Sequence, residues 1–336
     1  MIKRFPKYRI HLRIQANDFQ TPERKKIVKP KLCERLFWLG LCWIFFPSAA
    51  AGSNEKITYI RVEHVTDIRR DFNQPSEVAV GKRGRVFVLD GANNQVKIFD
   101  SKGVFESAVG RAGEGNGEFR HPVGMDIDEQ GHVYVADTGN QRIQIFNDNG
   151  KYLRKIDLTP WKARPVEVKA LKGINRIYVS DANNHRILCF KSDGVFNFSW
   201  GDLGDKLGDL RFPGMTAVDQ NGDIYIVDIL NGRVQIFNSG GKDPRQISEL
   251  GVLPGQLFRP KGIVIDNRSY IYVSDSYTGI IQVFDKTGKL HGILSEDMDA
   301  YLRLTTPVGM AIDAKGRLYV VQSSLNKVSV YQFRDN

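Results

Sequence analysis

The chain has 336 residues, 48 Lys and Arg against 38 Asp and Glu, 41% hydrophobic residues and three cysteines. That excludes a disordered polymer, which is too polar to bury a core, and a disulfide-stapled miniprotein, which needs far more cysteine. The formal charge of +10 invites a nucleic-acid or acidic-membrane partner, but residues 1–52 hold eleven Lys and Arg against three Asp and Glu, so +8 of it lies there and the remainder is close to neutral.

Leu36 to Phe46, LFWLGLCWIFF, is an apolar run of eleven residues followed by Pro47-Ser48-Ala49-Ala50-Ala51-Gly52. A stable membrane-spanning helix needs about 20 such residues, whereas a secretory signal ending in Ala-x-Ala fits, with cleavage after Ala51. A buried core helix is disfavoured because no amphipathic partner segment is nearby. The 35 residues ahead of the run exceed an ordinary signal peptide, about 15–30 residues in all. An upstream start assignment and an uncleaved signal anchor both remain open. The expected organisation is a leader, residues 1–51, and a body, residues 52–336, exported to the periplasm or outside the cell, or signal-anchored, with no stable transmembrane anchor. Cys42 lies inside the apolar run with no small residue before it, so a lipid-modified cysteine is not supported. With Cys33 and Cys42 in the leader, Cys189 is alone in the body, at the repeat position of Ile145 and Ile236, and reads as a small buried apolar side chain.

The body repeats. VYVADTGNQRIQIF, from Val133, is echoed by VFVLDGANNQVKIF from Val86, IYVSDANNHRILCF from Ile177, IYIVDILNGRVQIF from Ile224, IYVSDSYTGIIQVF from Ile271 and LYVVQSSLNKVSVY from Leu318. Each unit opens on a proline, Pro75, Pro122, Pro165, Pro213, Pro260 and Pro307, at spacings of 47, 43, 48, 47 and 47, long enough for four short strands and three turns. No window carries a sustained helical period, and Gly, Asn, Asp and Pro punctuate throughout, so the chain is all-β. VYVA, IYVS and IYIV are apolar at both parities, which demands cover on both faces of the sheet. The last unit stops at Tyr331-Gln332-Phe333 after three strands, while Ile57 to Val62 is a strand-like run ahead of the first proline. Pairing the two closes a ring and removes unpaired edges. The expectation is a six-bladed β-propeller of four-stranded antiparallel blades, closed by the N-terminal strand.

These motifs, P-x-G-hydrophobic-D and hydrophobic-Y-V-x-D-x-x-N-x-R-I-x-hydrophobic-F, resemble the NHL-repeat family of six-bladed propellers, in the manner of a bacterial exported NHL-repeat protein. The triplet appears as Asn140-Gln141-Arg142-Ile143 and Asn184-His185-Arg186-Ile187. Thr278 and Ile280 replace the Asn and Arg in the fifth unit and Gln322 replaces the Asp in the sixth, which makes those two the least regular. The resemblance implies the fold and leaves function open among RNA-binding propellers, extracytoplasmic sensors and a zinc- and calcium-dependent lyase.

Candidate residues follow. Asp90, Asp137, Asp181, Asp228 and Asp275 recur at the strand-to-turn junction and read as structural acceptors of turn N–H groups. Asp128, Asp219, Asp266 and Asp313 open the first hairpin turn and read likewise. His64, His121, His132, His185 and His291 occupy different repeat positions, so convergence on zinc is not expected. Glu77 and Glu167, at the third position of their first strands, are weak calcium candidates, two carboxylates against the six or more oxygens calcium takes. No metal or other cofactor is expected, and no Gly-x-Ser-x-Gly, paired-cysteine or P-loop signature is present. Arg120, Arg164, Arg211 and Arg259 precede the opening prolines, and Arg142, Arg186, Arg233 and Lys327 follow the repeated turn. With Lys261 they are expected to form a basic ring on one loop face, unless the second set pairs with the Asp five residues earlier.

The leading expectation is therefore a monomeric, exported, non-enzymatic binding or scaffold module that recognises a protein or an acidic polysaccharide or cell-wall ligand. The alternatives are a calcium-dependent lactonase- or lyase-like propeller enzyme, and an RNA-binding propeller if the leader is not an export signal. Export makes nucleic acid a poor partner.

Overall fold

The computed structural model describes residues 57–297 and 299–334; the leader, residues 1–51, with its apolar run, lies outside the described residues. Among the described residues no helix is long and apolar enough to cross a membrane.

Each repeat folds as a four-stranded antiparallel meander. Blade 1 comprises Pro75–Val80, Val86–Asp90, Gln95–Phe99 and Phe105–Val109. Blade 2 comprises Met125–Ile127, Val133–Asp137, Arg142–Phe146 and Tyr152–Asp157. Blade 3 follows with Pro165–Leu171, Arg176–Asp181, Arg186–Phe190 and Phe196–Trp200. Pro213–Val218, Ile224–Asp228, Arg233–Phe237 and Arg245–Ile247 make blade 4. Blade 5 is Pro260–Ile265, Ile271–Asp275, Ile280–Phe284 and Leu290–Ser295, and blade 6 contributes Pro307–Ile312, Arg317–Gln322 and Lys327–Phe333. The first strand of every blade contacts the first strand of the next, and blade 6 contacts blade 1, so the sheets form a ring. Six hydrophobic clusters fill the six interfaces between blades. This is why the second strands are apolar at both parities: both faces of each sheet meet a neighbouring sheet.

The N-terminal strand closes the ring at a different register from the one expected. The strand is Tyr59–Ile68, and its pairing with the last strand runs antiparallel from Val62 opposite Phe333 to Ile68 opposite Val328, with a bulge between His64 and Thr66. Tyr59 to Arg61 instead pair in parallel with Ile293 to Ser295 of blade 5. The run Ile57 to Val62 therefore corrects to Val62 to Ile68 as the closing segment. The bulge explains the arrangement: one extra residue switches which face a side chain meets, so Val62 joins the core between blades 5 and 6 while Ile68 joins the core between blades 6 and 1.

The repeated aspartates knit each blade to its entry loop. Asp137 is fully buried and accepts the Arg120 backbone N–H at 2.7 Å, Asn140 Nδ2 at 2.9 Å and Arg142 Nε at 2.7 Å. Asp90, Asp181 and Asp228 accept the N–H of Asn73, Arg164 and Arg211 in the same way. Asp275, lacking a basic partner, accepts four backbone N–H groups, from Phe258, Arg259, Tyr277 and Thr278. In blade 6 the Gln322 amide oxygen accepts the Thr305 N–H. The missing carboxylate comes from the closing strand, where Asp67 accepts Lys327 Nζ at 3.0 Å and Ser329 Oγ at 2.7 Å. Asp128, Asp219, Asp266 and Asp313 accept N–H groups of their own turns and the buried hydroxyls of Tyr134, Tyr225, Tyr272 and Tyr319. Buried carboxylates with this many donors are structural.

Candidate functional site on the propeller axis

The six first strands surround a cavity of about 210 Å³ on the ring axis. Counting from each opening proline, the third residues are Glu77, Gly124, Glu167, Met215, Gly262 and Gly309, and the fifth are Ala79, Asp126, Lys169, Ala217, Val264 and Ala311. Four of these positions are ionisable, and all four line the cavity from blades 1, 2 and 3. Blades 4, 5 and 6 contribute aliphatic side chains, methionine and, from blade 4, Thr216, whose buried Oγ1 has no hydrogen-bond partner among the described residues. A second cavity of about 350 Å³, open among the first turns of blades 2, 3 and 4, shares Asp126, Ile127, Lys169 and Val218 with the first.

The carboxyl side chains have room because neighbours lack one. A Cβ on Gly124 would sit 2.7 Å from Glu167 Oε2, and one on Gly309 would overlap Glu77 Oε1. Glu77, Asp126 and Glu167 are each no more than 5% exposed. Asp126 is held at both oxygens, Oδ1 by Lys169 Nζ at 2.7 Å and Oδ2 by the Ala170 N–H at 2.9 Å, a clamp from blade 2 to blade 3. Glu77 Oε1 accepts the Val78 N–H at 3.0 Å. Glu167 Oε2 is buried with no hydrogen-bond partner among the described residues.

Burial pushes the Glu77 carboxyl up to about 8; the Val78 N–H and Lys169 oppose the rise and Asp126 adds to it. Burial, and then the nearby Glu77 charge, raise Glu167 well above the ordinary carboxylate range. For Lys169 burial acts downward, but Asp126 and then the two glutamates outweigh it and hold the ammonium above its usual range. The surroundings thus favour the protonated form of both glutamates, beside one Asp–Lys ion pair.

Glu77 and Glu167 lie together on the axis, but they do not fit a calcium ion. Calcium takes six to eight oxygens, both oxygens of Asp126 are committed, and an ammonium already stands among the carboxyls. Among the described residues no group of three His, Cys, Asp or Glu side chains is placed to hold a metal. The histidines sit apart: His64 beside Asp67, His132 beside Asp128, His185 accepting the Phe212 N–H, and His291 stacked on Tyr270. Asp126 and Lys169 were missed by the sequence reasoning. Their signal was available, as charged residues at a repeat position where the other four blades carry Ala or Val.

The ring of nine cations is corrected. Arg142 and Arg233 are buried against Asp137 and Asp228, Arg186 is half-buried against Asp181, and Lys327 pairs with Asp67. The cause is register: Asp137 and Arg142 are direct cross-strand partners at the ends of one turn. Only Arg120, Arg164, Arg211 and Arg259 remain exposed; Arg120 meets Glu114 and Arg164 lies over Phe212. Lys261 is partly buried, and burial followed by the Arg259 charge lowers its pKa.

A family model described as a 6-bladed beta-propeller matches residues 53–137. A segment of 56 residues is 43% identical to Protein brain tumor of Drosophila melanogaster, covering 16% of this chain and 5% of that protein. Among solved structures, a virginiamycin B lyase from Staphylococcus aureus is similar with a TM-score of 0.59 at 15% identity, over 80% of this chain and 85% of its own. A gluconolactonase from Xanthomonas campestris is similar with a TM-score of 0.62 at 14% identity, over 83% and 96%. At these identities the likeness is one of fold, and the chain is a six-bladed β-propeller. The expectation of a non-enzymatic binding or scaffold module is corrected: these fold neighbours are enzymes, and Glu77, Glu167 and Lys169, each with a displaced pKa, face one axial cavity.

Proposed function

We propose that the chain is a propeller enzyme of the lyase or lactonase kind, working in the axial cavity with Glu167 as proton donor and Glu77 as a second acid–base group. The observation that carries this reading is Glu167 Oε2, buried without a partner on a carboxyl that its surroundings keep protonated. A buried polar atom left unpaired costs about 1–3 kcal/mol, and a substrate oxygen accepting that proton removes the cost. Protonation of a departing oxygen is common to elimination and to ester cleavage, and a positioned acid contributes about 10²–10⁴-fold. Perturbed carboxyls that share a cavity are the pattern expected of such a site.

The fold likeness to a lyase and a lactonase supports the class of reaction and nothing finer. Calcium chemistry is not part of the reading, because the donor set does not fit the ion. The Asn140-Gln141-Arg142-Ile143 and Asn184-His185-Arg186-Ile187 motifs support placing the chain among NHL-type propellers, and the apolar run 36–46 with its alanines supports an exported protein.

A panel of chromogenic esters and lactones, assayed with wild type and Glu167→Gln, tests the proposal. The expected result is turnover that declines as pH rises through about 8, where Glu77 loses its proton, and a loss of about 10²–10⁴-fold in kcat in the variant at unchanged melting temperature. Full activity in Glu167→Gln would overturn it.

A further inference from the structure

Three carboxyls facing one cavity would ordinarily call for a cation. We infer that Lys169 is that cation: its ammonium, bound to Asp126 Oδ1 and facing the same cavity as Glu77 and Glu167, supplies the positive charge there, and the axis accepts an acyl or carboxylate oxygen without a metal. The ligand half of this inference rests on the axis being the active site; the cation half does not.

Geometry carries it. Lys169 is two residues from Glu167 on the same strand, and its Nζ reaches across to blade 2 to meet Asp126 Oδ1 at 2.7 Å. Asp126 cannot swing away, since its other oxygen is held by the Ala170 N–H. An ammonium has three donors, and Asp126 takes one. The other two have no acceptor among the described residues, 30% of the Lys169 side-chain surface stays open, and the residue lines both cavities. Beside it lies Glu167 Oε2, also without a partner. Unused donors of the ammonium and a carboxyl that burial keeps toward its protonated form, facing one cavity that Thr216 and aliphatic side chains also line, match one oxygen carrying partial or full negative charge. The charges point the same way: the Asp–Lys pair is neutral and burial favours the uncharged form of both glutamates, which lowers the repulsion an entering carboxylate meets.

The test uses the full chain, with calcium chloride and manganese chloride as probes. Wild type is expected to give no heat of binding at the axis and the same melting temperature in either salt as in EDTA. Lys169→Ala uncovers the carboxyls, melts earlier in EDTA, and rises by about 5 °C at calcium a hundredfold above its Kd. Lys169→Arg keeps a cation and stays indifferent. Should Lys169→Ala not fold in EDTA, refolding is the readout, recovery in calcium supporting the inference and failure in both overturning it. Stoichiometric calcium on wild type, or a folded Lys169→Ala that calcium does not stabilise, also overturns it. A wild type that cleaves esters only with added calcium would keep the enzymatic reading and sink this one. A wild type without turnover whose Lys169→Ala variant gains calcium would do the reverse.

Discussion

Replacing Glu77 by glutamine should make the folded ring more stable in alkali and leave it unchanged in acid. The carboxyl titrates at 4.5 in its ordinary setting and at about 8 in the cavity, so between those values the native state holds a proton that the unfolded chain has lost. Stability is then fully present below pH 4.5 and declines until Glu77 ionises in place. A displacement of that size is worth about 5 kcal/mol. Glutamine keeps the shape and removes the ionisation. For a domain of this size, melting temperature moves by about 2 °C per kcal/mol, so wild type and Glu77→Gln should coincide at pH 4 and differ by about 10 °C at pH 9. Melting curves by circular dichroism across that range are sufficient, because the claim concerns the divergence of two curves rather than either value alone. Parallel curves would refute the reasoning, since they would mean that Glu77 meets water or a cation in the native ring and is ionised at neutral pH.

Three further predictions concern the frame around the site. Asp137→Asn should cost about 3–5 kcal/mol in urea unfolding by stranding Arg142 in the interior, whereas Asp275→Asn, with only backbone donors to satisfy, should cost less; equal losses would contradict the assigned roles. Gly309→Ala would bring a Cβ within 2.7 Å of the Glu77 Cα and the Ser76 carbonyl, forcing blades 6 and 1 apart at the axis, and is expected to destabilise by about 1–3 kcal/mol and to abolish the pH dependence assigned to Glu77. Truncation to residue 61 should leave the ring closed, whereas truncation to residue 68 should aggregate through the bared edge of Lys327–Phe333; equal solubility of the two would place closure elsewhere.

The parts of the molecule legible in the sequence are those that repeat. Asp90, Asp137, Asp181 and Asp228 each lie seventeen residues after the N–H they accept, and a spacing repeated blade after blade separates a structural duty from chance. The closing strand was misplaced because an outer strand has one face in water: Glu63, His64, Val65 and Thr66 are exposed, so no apolar alternation marks its register, and the bulge breaks what periodicity there is. The basic ring failed for another reason. Asp137 and Arg142 are five apart in sequence, but only the turn geometry makes them cross-strand partners, and burial then converts a surface charge into an internal pair.

The axial cluster belongs to neither case, and its position says why function is hard to read in a repeat protein. A propeller uses the same backbone six times, so a side chain needed for stability is needed in each blade and appears in each. A reaction needs different groups around one point, and so must break the symmetry. The break is confined to two positions of the innermost strand: Glu, Gly, Glu, Met, Gly, Gly at the third and Ala, Asp, Lys, Ala, Val, Ala at the fifth. Each substitution there has a structural cost that repetition would have avoided, a buried acid in blade 1, another in blade 2, a buried acid and a partly buried ammonium in blade 3, and glycines in blades 2 and 6 that give up packing to make room for them. Those costs converge on one cavity from four adjacent blades, 6, 1, 2 and 3. That convergence, rather than any residue taken alone, distinguishes the axis from the many equivalent turns around the ring.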